Sequence, residues 1–245
     1  MRFSSRSELL YTRDVAIVRD NIGPLNIYLR DKALIGPTCP DVVMIQGFGT
    51  GPRSMRPVAD HLQQFDLRAA VAPIGGLLGH LQTRSVSRAA KRLNAYLRDL
   101  PPDCRPWLVA HSLGGIIARM AVQDGEAKHH ISGLITLGTP HQGCPAAAAG
   151  LMLGLGLISM APWSITPLSP TIRNLNRTPW PRSVPLIAIA SHSDVLCRPK
   201  HSHIPFADER VVRNLVLGDV GHTQMLRSQT VLQTITGLID QQEAA

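Results

Sequence analysis

Five continuous apolar runs constrain this chain more than any other feature: DVVMIQG (41–47), LRAAVAPI (67–74), WLVAHS (107–112), SGLITLG (132–138) and VPLIAIAS (184–191). Each is too short for a long helix and lacks the alternation of a half-exposed strand. Runs of this kind are what parallel strands require when both faces of their sheet are covered. RNLVLGD (213–219) reads as a further, shorter strand. Between the runs lie helical patterns at 54–65, 85–100, 113–123 and 223–239. The second places Val86, Ala89, Ala90, Leu93, Tyr96 and Leu97 on one face, with Lys and Arg opposite. Strands alternating with amphipathic helices predict an α/β fold with a mostly parallel central sheet and helices on both faces. The early segments AIVRDN and LNIYLR read as an antiparallel hairpin at one edge.

The 245 residues suffice for a single domain with a sizeable core, and 1–245 is read as one. The formal net charge is +8. A basic balance raises nucleic acid or an anionic membrane surface as partners. The Lys and Arg residues are scattered and not interleaved with aromatics, so nucleic-acid binding is set aside. The N-terminal MRFSSRSELLYTRD shows no apolar core and no small-residue cleavage site, which predicts a cytoplasmic protein. The uncharged stretch 146–163 reaches the length of a membrane span. Glycine and proline interrupt it, and a span there would have to leave a compact fold between two core strands.

Function is concentrated at WLVAHSLGGIIARM (107–120). Ser112 ends a buried strand and a helix starts immediately after it. A sharp strand–serine–helix turn lifts the hydroxyl above the sheet, and backbone N–H groups of the new helix point towards it. Ala110, Gly114 and Gly115 supply the small neighbours such a turn needs. A serine nucleophile also needs a base, itself oriented by a carboxylate. Asp194 follows the strand VPLIAIAS, and His222 follows the last strand in LVLGDVGHTQML. The order serine, acid, histidine along successive strand ends suits one active site. The tetrahedral intermediate needs two N–H donors, for which the candidates are Leu113 and Phe48, the latter in the glycine-rich loop IQGFGTGP.

These segments resemble the α/β-hydrolase superfamily, and within it the bacterial lipase and esterase group. MIQGFGTGPRSMRPVADHL resembles the oxyanion loop and first helix, VAHSLGGIIAR the nucleophile elbow, LITLGTPHQG the strand before the lid, and SHSD and GDVGH the acid and histidine segments. The resemblance covers the chain from about residue 41 onward. It implies the α/β-hydrolase fold with a short lid or cap insertion at 145–181, Ser112 as nucleophile, His222 as base, Asp194 as acid, and Phe48 and Leu113 as oxyanion donors. It implies no metal or organic cofactor. Gln46 stands where the family usually has histidine. Gly47, His111, Leu151, Leu153 and Leu155 are the candidate substrate contacts, the leucines through the apolar start of the insertion, which also offers peripheral contact with lipid.

The expected activity is hydrolysis of apolar carboxyl esters through an acyl-enzyme. An acyltransferase using the same residues and a non-catalytic lipid-binding module are the alternatives. His201 and His203 are read as part of a solvated loop, Asp219 as a rival acid, and Asp208 and Glu209 as weaker rivals. In the hydrolase strand order, Cys39 and Cys104 precede neighbouring strands, and Cys144 and Cys197 follow neighbouring strands. Either pair can approach disulfide distance, and the simpler expectation is four reduced thiols.

Overall fold

A computed structural model describes residues 38–75, 85–145, 147, 161–204, 208 and 210–243. Six strands form one sheet: β1 (Val42–Ile45), β2 (Ala69–Val71), β3 (Trp107–His111), β4 (Gly133–Leu137), β5 (Leu186–Ser191) and β6 (Val212–Leu217). Their order across the sheet is β2-β1-β3-β4-β5-β6. Every pairing is parallel. The hairpin expected from AIVRDN and LNIYLR lies outside the described residues.

The apolar runs are continuous because the sheet is covered twice. Val43, Ile45, Leu108, Leu134 and Leu186 face a cluster that includes Val86, Leu93 and Leu97 of α2 (Val86–Arg98), Ile116 and Ile117 of α3 (Leu113–Gln123), and Ile172 and Leu175. The alternate residues Val42, Met44, Val109, Ile135 and Ile187 face Val58 and Leu62 of α1 (Arg56–Gln63) and, across the same face, Val231, Leu232, Ile235 and Ile239. All residues of β1, β3, β4 and β5 are buried. The edge strand β6 is not.

The segment expected as an insertion, 145–181, falls within the connection from β4 to β5. Its described part holds a single turn, α4 (Ala161–Ser164), and α5 (Pro170–Arg177). Ser169 caps α5 by accepting the Ile172 N–H at 3.2 Å, with Pro170 in the first turn. Leu151, Leu153 and Leu155 lie outside the described residues. Among the described residues, no helix is long and apolar enough to cross a membrane. A further turn, α6 (Pro199–Ser202), precedes β6. The pattern at 223–239 resolves into two pieces, a 3-10 turn Thr223–Leu226 and α7 (Gln229–Glu243). Arg227 breaks the run, at φ −129° and ψ −7°. Met225 and Leu226 thereby reach the core from a tighter turn than α7 could offer.

The amino ends of the strands are tied together, at the edge opposite the site. Arg68 grips Asp41 with Nε at 2.9 Å and Nη2 at 2.7 Å. Cys39 and Cys104 form a disulfide with Cα atoms 5.6 Å apart. This corrects the expectation of four reduced thiols. The parallel register pairs Val42 with Trp107, which brings the segments entering β1 and β3 side by side. Cys144 and Cys197 are buried thiols. Replacing Cys39 and Cys104 together by serine is expected to cost about 4 kcal/mol, because the bridge closes a long loop in the unfolded chain. That corresponds to a fall in Tm of roughly 10 °C by calorimetry. Thiol titration of the unreduced, denatured protein should count the two thiols Cys144 and Cys197. A count of four there would remove the bridge.

Candidate active site

In a parallel sheet all carboxyl ends share one edge, and ligands bind there. Ser112 directly follows β3, with φ 53° and ψ −123°. It stands at the N-cap of α3, yet its side chain makes no capping bond. The hydroxyl is aimed elsewhere. The turn survives because its neighbours are small: a Cβ on Gly114 would lie 2.5 Å from the Ile45 carbonyl. The Thr139 hydroxyl ties down the Ser112 carbonyl at 3.0 Å.

His222 follows β6 and Asp194 follows β5. His222 Nε2 is 2.9 Å from Ser112 Oγ. His222 Nδ1 is 2.7 Å from Asp194 Oδ2. Asp194 is fully buried. Its other oxygen, Oδ1, accepts the N–H groups of Leu196 at 3.0 Å and Cys197 at 2.7 Å. With both carboxylate oxygens accepting, Nδ1 carries the ring proton. Nε2 is then left as an acceptor for the Ser112 hydroxyl proton.

Gly47 and Phe48 follow β1, beside the serine. A Cβ on Gly47 would lie 3.0 Å from Ser112 Cβ, so this loop passes against the elbow. Phe48 is half-buried and packs on the core beneath. Leu113 opens α3, so its N–H has no carbonyl within the helix to meet. Gln46 is buried in place of the family's histidine. His111 was expected to touch substrate. Its ring is only 2% exposed and its Nε2 lies 3.0 Å from the His222 carbonyl oxygen. It sits under His222 and not on an open wall.

The rival acids fall elsewhere. Asp219 accepts the Ser193 hydroxyl at 3.1 Å. Asp208 pairs with Arg210 at 3.0 Å. Glu209 lies outside the described residues. His201 belongs to α6 and His203 ends it, where a solvated loop was expected. Among the described residues no group of three His, Cys, Asp or Glu is gathered as a metal site. His141 is buried against the Thr136 hydroxyl at 3.0 Å. Burial and the nearby Arg119 charge hold it well below the usual histidine range.

Two supporting residues escaped the sequence reading. Gly138 directly follows β4 at φ 54°, and a Cβ there would lie 2.8 Å from Asp194 Oδ2 and 3.1 Å from His222 Nδ1. Its signal was a glycine at the carboxyl end of a strand lying between those of serine and acid. Gly138→Ala is expected to cut turnover by roughly a hundredfold through misplacement of the acid–base pair. Steady-state kinetics would show parental turnover if that crowding were harmless. Ser191 is the second. Its hydroxyl donates to the Gly218 carbonyl at 2.5 Å and accepts the Val220 N–H at 3.0 Å. It thus joins the loops that carry Asp194 and His222.

Arg119 holds the insertion to the elbow helix. It donates to the Leu175 carbonyl at 2.7 Å and to Asn176 Oδ1 at 2.9 Å. Gln123 donates to the same Leu175 carbonyl and to that of Thr178. These carbonyls end α5, where a cation is favoured by the helix dipole. Burial lowers the Arg119 pKa to about 10, and it stays charged at neutral pH.

This sheet order, with these side chains on its carboxyl edge, defines an α/β-hydrolase fold. The chain belongs to the family of the PGAP1-like alpha/beta domain, whose model matches residues 43–174. That match takes in the Gly47–Phe48 loop and Ser112, and stops short of Asp194 and His222. Among solved structures, the chain is similar to the mature Bacillus licheniformis lipase BlEst2, with a TM-score of 0.68 and 18% identity over 83% of this chain and 93% of that one. It is also similar to a Paleococcus ferrophilus monoacylglycerol lipase, with a TM-score of 0.60 and 14% identity over 83% and 95%. A soluble variant of the Saccharomyces cerevisiae monoglyceride lipase gives a TM-score of 0.62 and 15% identity over 83% and 85%. No curated protein matches the sequence.

Proposed function

We propose that the protein is a serine carboxyl-ester hydrolase acting on apolar acyl esters. The observation that carries this reading is the hydrogen-bonded line from Ser112 through His222 to Asp194, 2.9 Å and 2.7 Å long. Ser112 Oγ attacks the ester carbonyl carbon while its proton passes to His222 Nε2. Asp194 holds the imidazole by Nδ1 and stabilises the imidazolium. The N–H groups of Leu113 and Phe48 receive the developing oxyanion. His222 then gives its proton to the leaving alcohol, and the acyl group remains on Ser112. Water, losing a proton to the same Nε2, attacks the acyl-enzyme and releases the acid.

The apolar start of the insertion at 145–181 supports an acyl substrate, with 145–181 as a lid over the site. So do the structural relatives, two of which are monoacylglycerol or monoglyceride lipases. The Cys39–Cys104 disulfide favours an oxidising setting over the cytoplasmic one expected from the N-terminus. The test is hydrolysis of p-nitrophenyl esters from acetyl to palmitoyl, with labelling by a fluorophosphonate. Turnover of some chain length and one label per chain are expected. A folded protein that hydrolyses none and takes no label would overturn the reading in favour of lipid binding without catalysis.

A further inference from the structure

We propose that His111 is a positioning residue that braces the base His222 against the loop carrying Phe48, an assignment that rests on the hydrolase reading above. The starting point is its cost. Every residue of β3 is buried, and a polar ring at its last position is costly unless it finds a hydrogen-bond partner. Leucine or valine would fill the volume without that burden. The His111 side chain is hydrogen-bonded to the His222 carbonyl oxygen, at 3.0 Å. A carbonyl only accepts, so Nε2 carries the proton and donates.

The ring has a second neighbour on its other edge. A Cβ on Gly47 would lie 3.0 Å from His111 Nδ1 and 3.0 Å from Ser112 Cβ. One imidazole therefore separates the glycine-rich loop after β1 from the backbone of His222. Its centroid lies 4.8 Å from that of the His222 ring, with the planes tilted by 46°. His222 sits in no regular element of its own. It is reached from the edge strand β6 through the four residues 218–221 and stands at the N-cap of a 3-10 turn. A bond to its own carbonyl is a direct means of setting its main chain, and hence the reach of Nε2 to Ser112.

The brace also stays neutral. Burial, then the neighbouring His222, hold the His111 pKa down to about 3. No like charge therefore meets the imidazolium that forms on His222 during each turnover.

Two variants separate the donor from the ring. His111→Phe keeps an aromatic of similar shape and loses the N–H. His111→Gln keeps an N–H at a similar reach. The expected result is a fall in kcat of roughly 30-fold for the phenylalanine variant with KM within about twofold, since substrate contacts are untouched. Fluorophosphonate labelling of Ser112 should slow in proportion. The glutamine variant should recover to within about fivefold of the parent. Parental kcat in both variants would overturn the assignment. So would equal losses in both that track a lowered melting temperature, since that is a packing effect. If the parent protein itself neither turns over esters nor takes the label, the hydrolase reading falls and the His111 assignment with it. A reactive parent with indifferent variants removes only the latter.

Discussion

Ser112→Ala is expected to leave a folded protein whose ester turnover is at least about 10⁴-fold below that of the parent. The argument is specific to this turn. The Ser112 side chain makes no cap to α3, so its loss takes no bond from the helix. Alanine adopts the same φ of 53° at a cost like that of serine. Stability should then shift by less than about 1 kcal/mol. What disappears is the atom that attacks the carbonyl and the partner of His222 Nε2. The p-nitrophenyl ester series, read beside a thermal melt, checks both halves. Residual turnover within tenfold of the parent at unchanged melting temperature would place the nucleophile elsewhere.

Asp194→Asn is expected to lower kcat by about 10⁴-fold with the fold intact. Asp194 faces donors on both sides. Oδ1 receives two backbone N–H groups, and Oδ2 receives His222 Nδ1. An amide has one acceptor oxygen to offer. Turned towards the backbone, it presents its NH2 to His222, and the ring must then accept at Nδ1. The proton moves to Nε2, which can no longer take one from Ser112. Turned the other way, the NH2 meets the amides of Leu196 and Cys197, and the loop is loosened. The check is kcat and KM over the same ester series. A loss confined to KM would contradict an orienting role.

The strands β1, β3, β4 and β5 were legible because their burial on both faces leaves an unbroken apolar string. β2 was read as eight residues and has three, since only Ala69, Ala70 and Val71 run in register beside β1. The positions of Ser112, Asp194 and His222 were legible because each follows a strand, and parallel strands deliver all such ends to one edge. Their supports were hidden for a common reason. Gly138, Ser191 and His111 matter through what lies across the sheet, up to 111 residues away. No local pattern reports that. The disulfide was weighed but not chosen, because only the register of β1 against β3 decides whether Cys39 meets Cys104. The split of 223–239 was missed because apolar spacing continues across Arg227 while the backbone does not.

The chain separation within the site has a consequence for how activity is acquired. Ser112 and His222 meet across 110 residues, and β4 and β5 stand between their strands. No fragment of the sheet holds both. Contacts of such long range are slow to close and form late in refolding. After dilution from denaturant, helical ellipticity should return well before esterase activity, and the recovered rate would time the docking of the last edge strand.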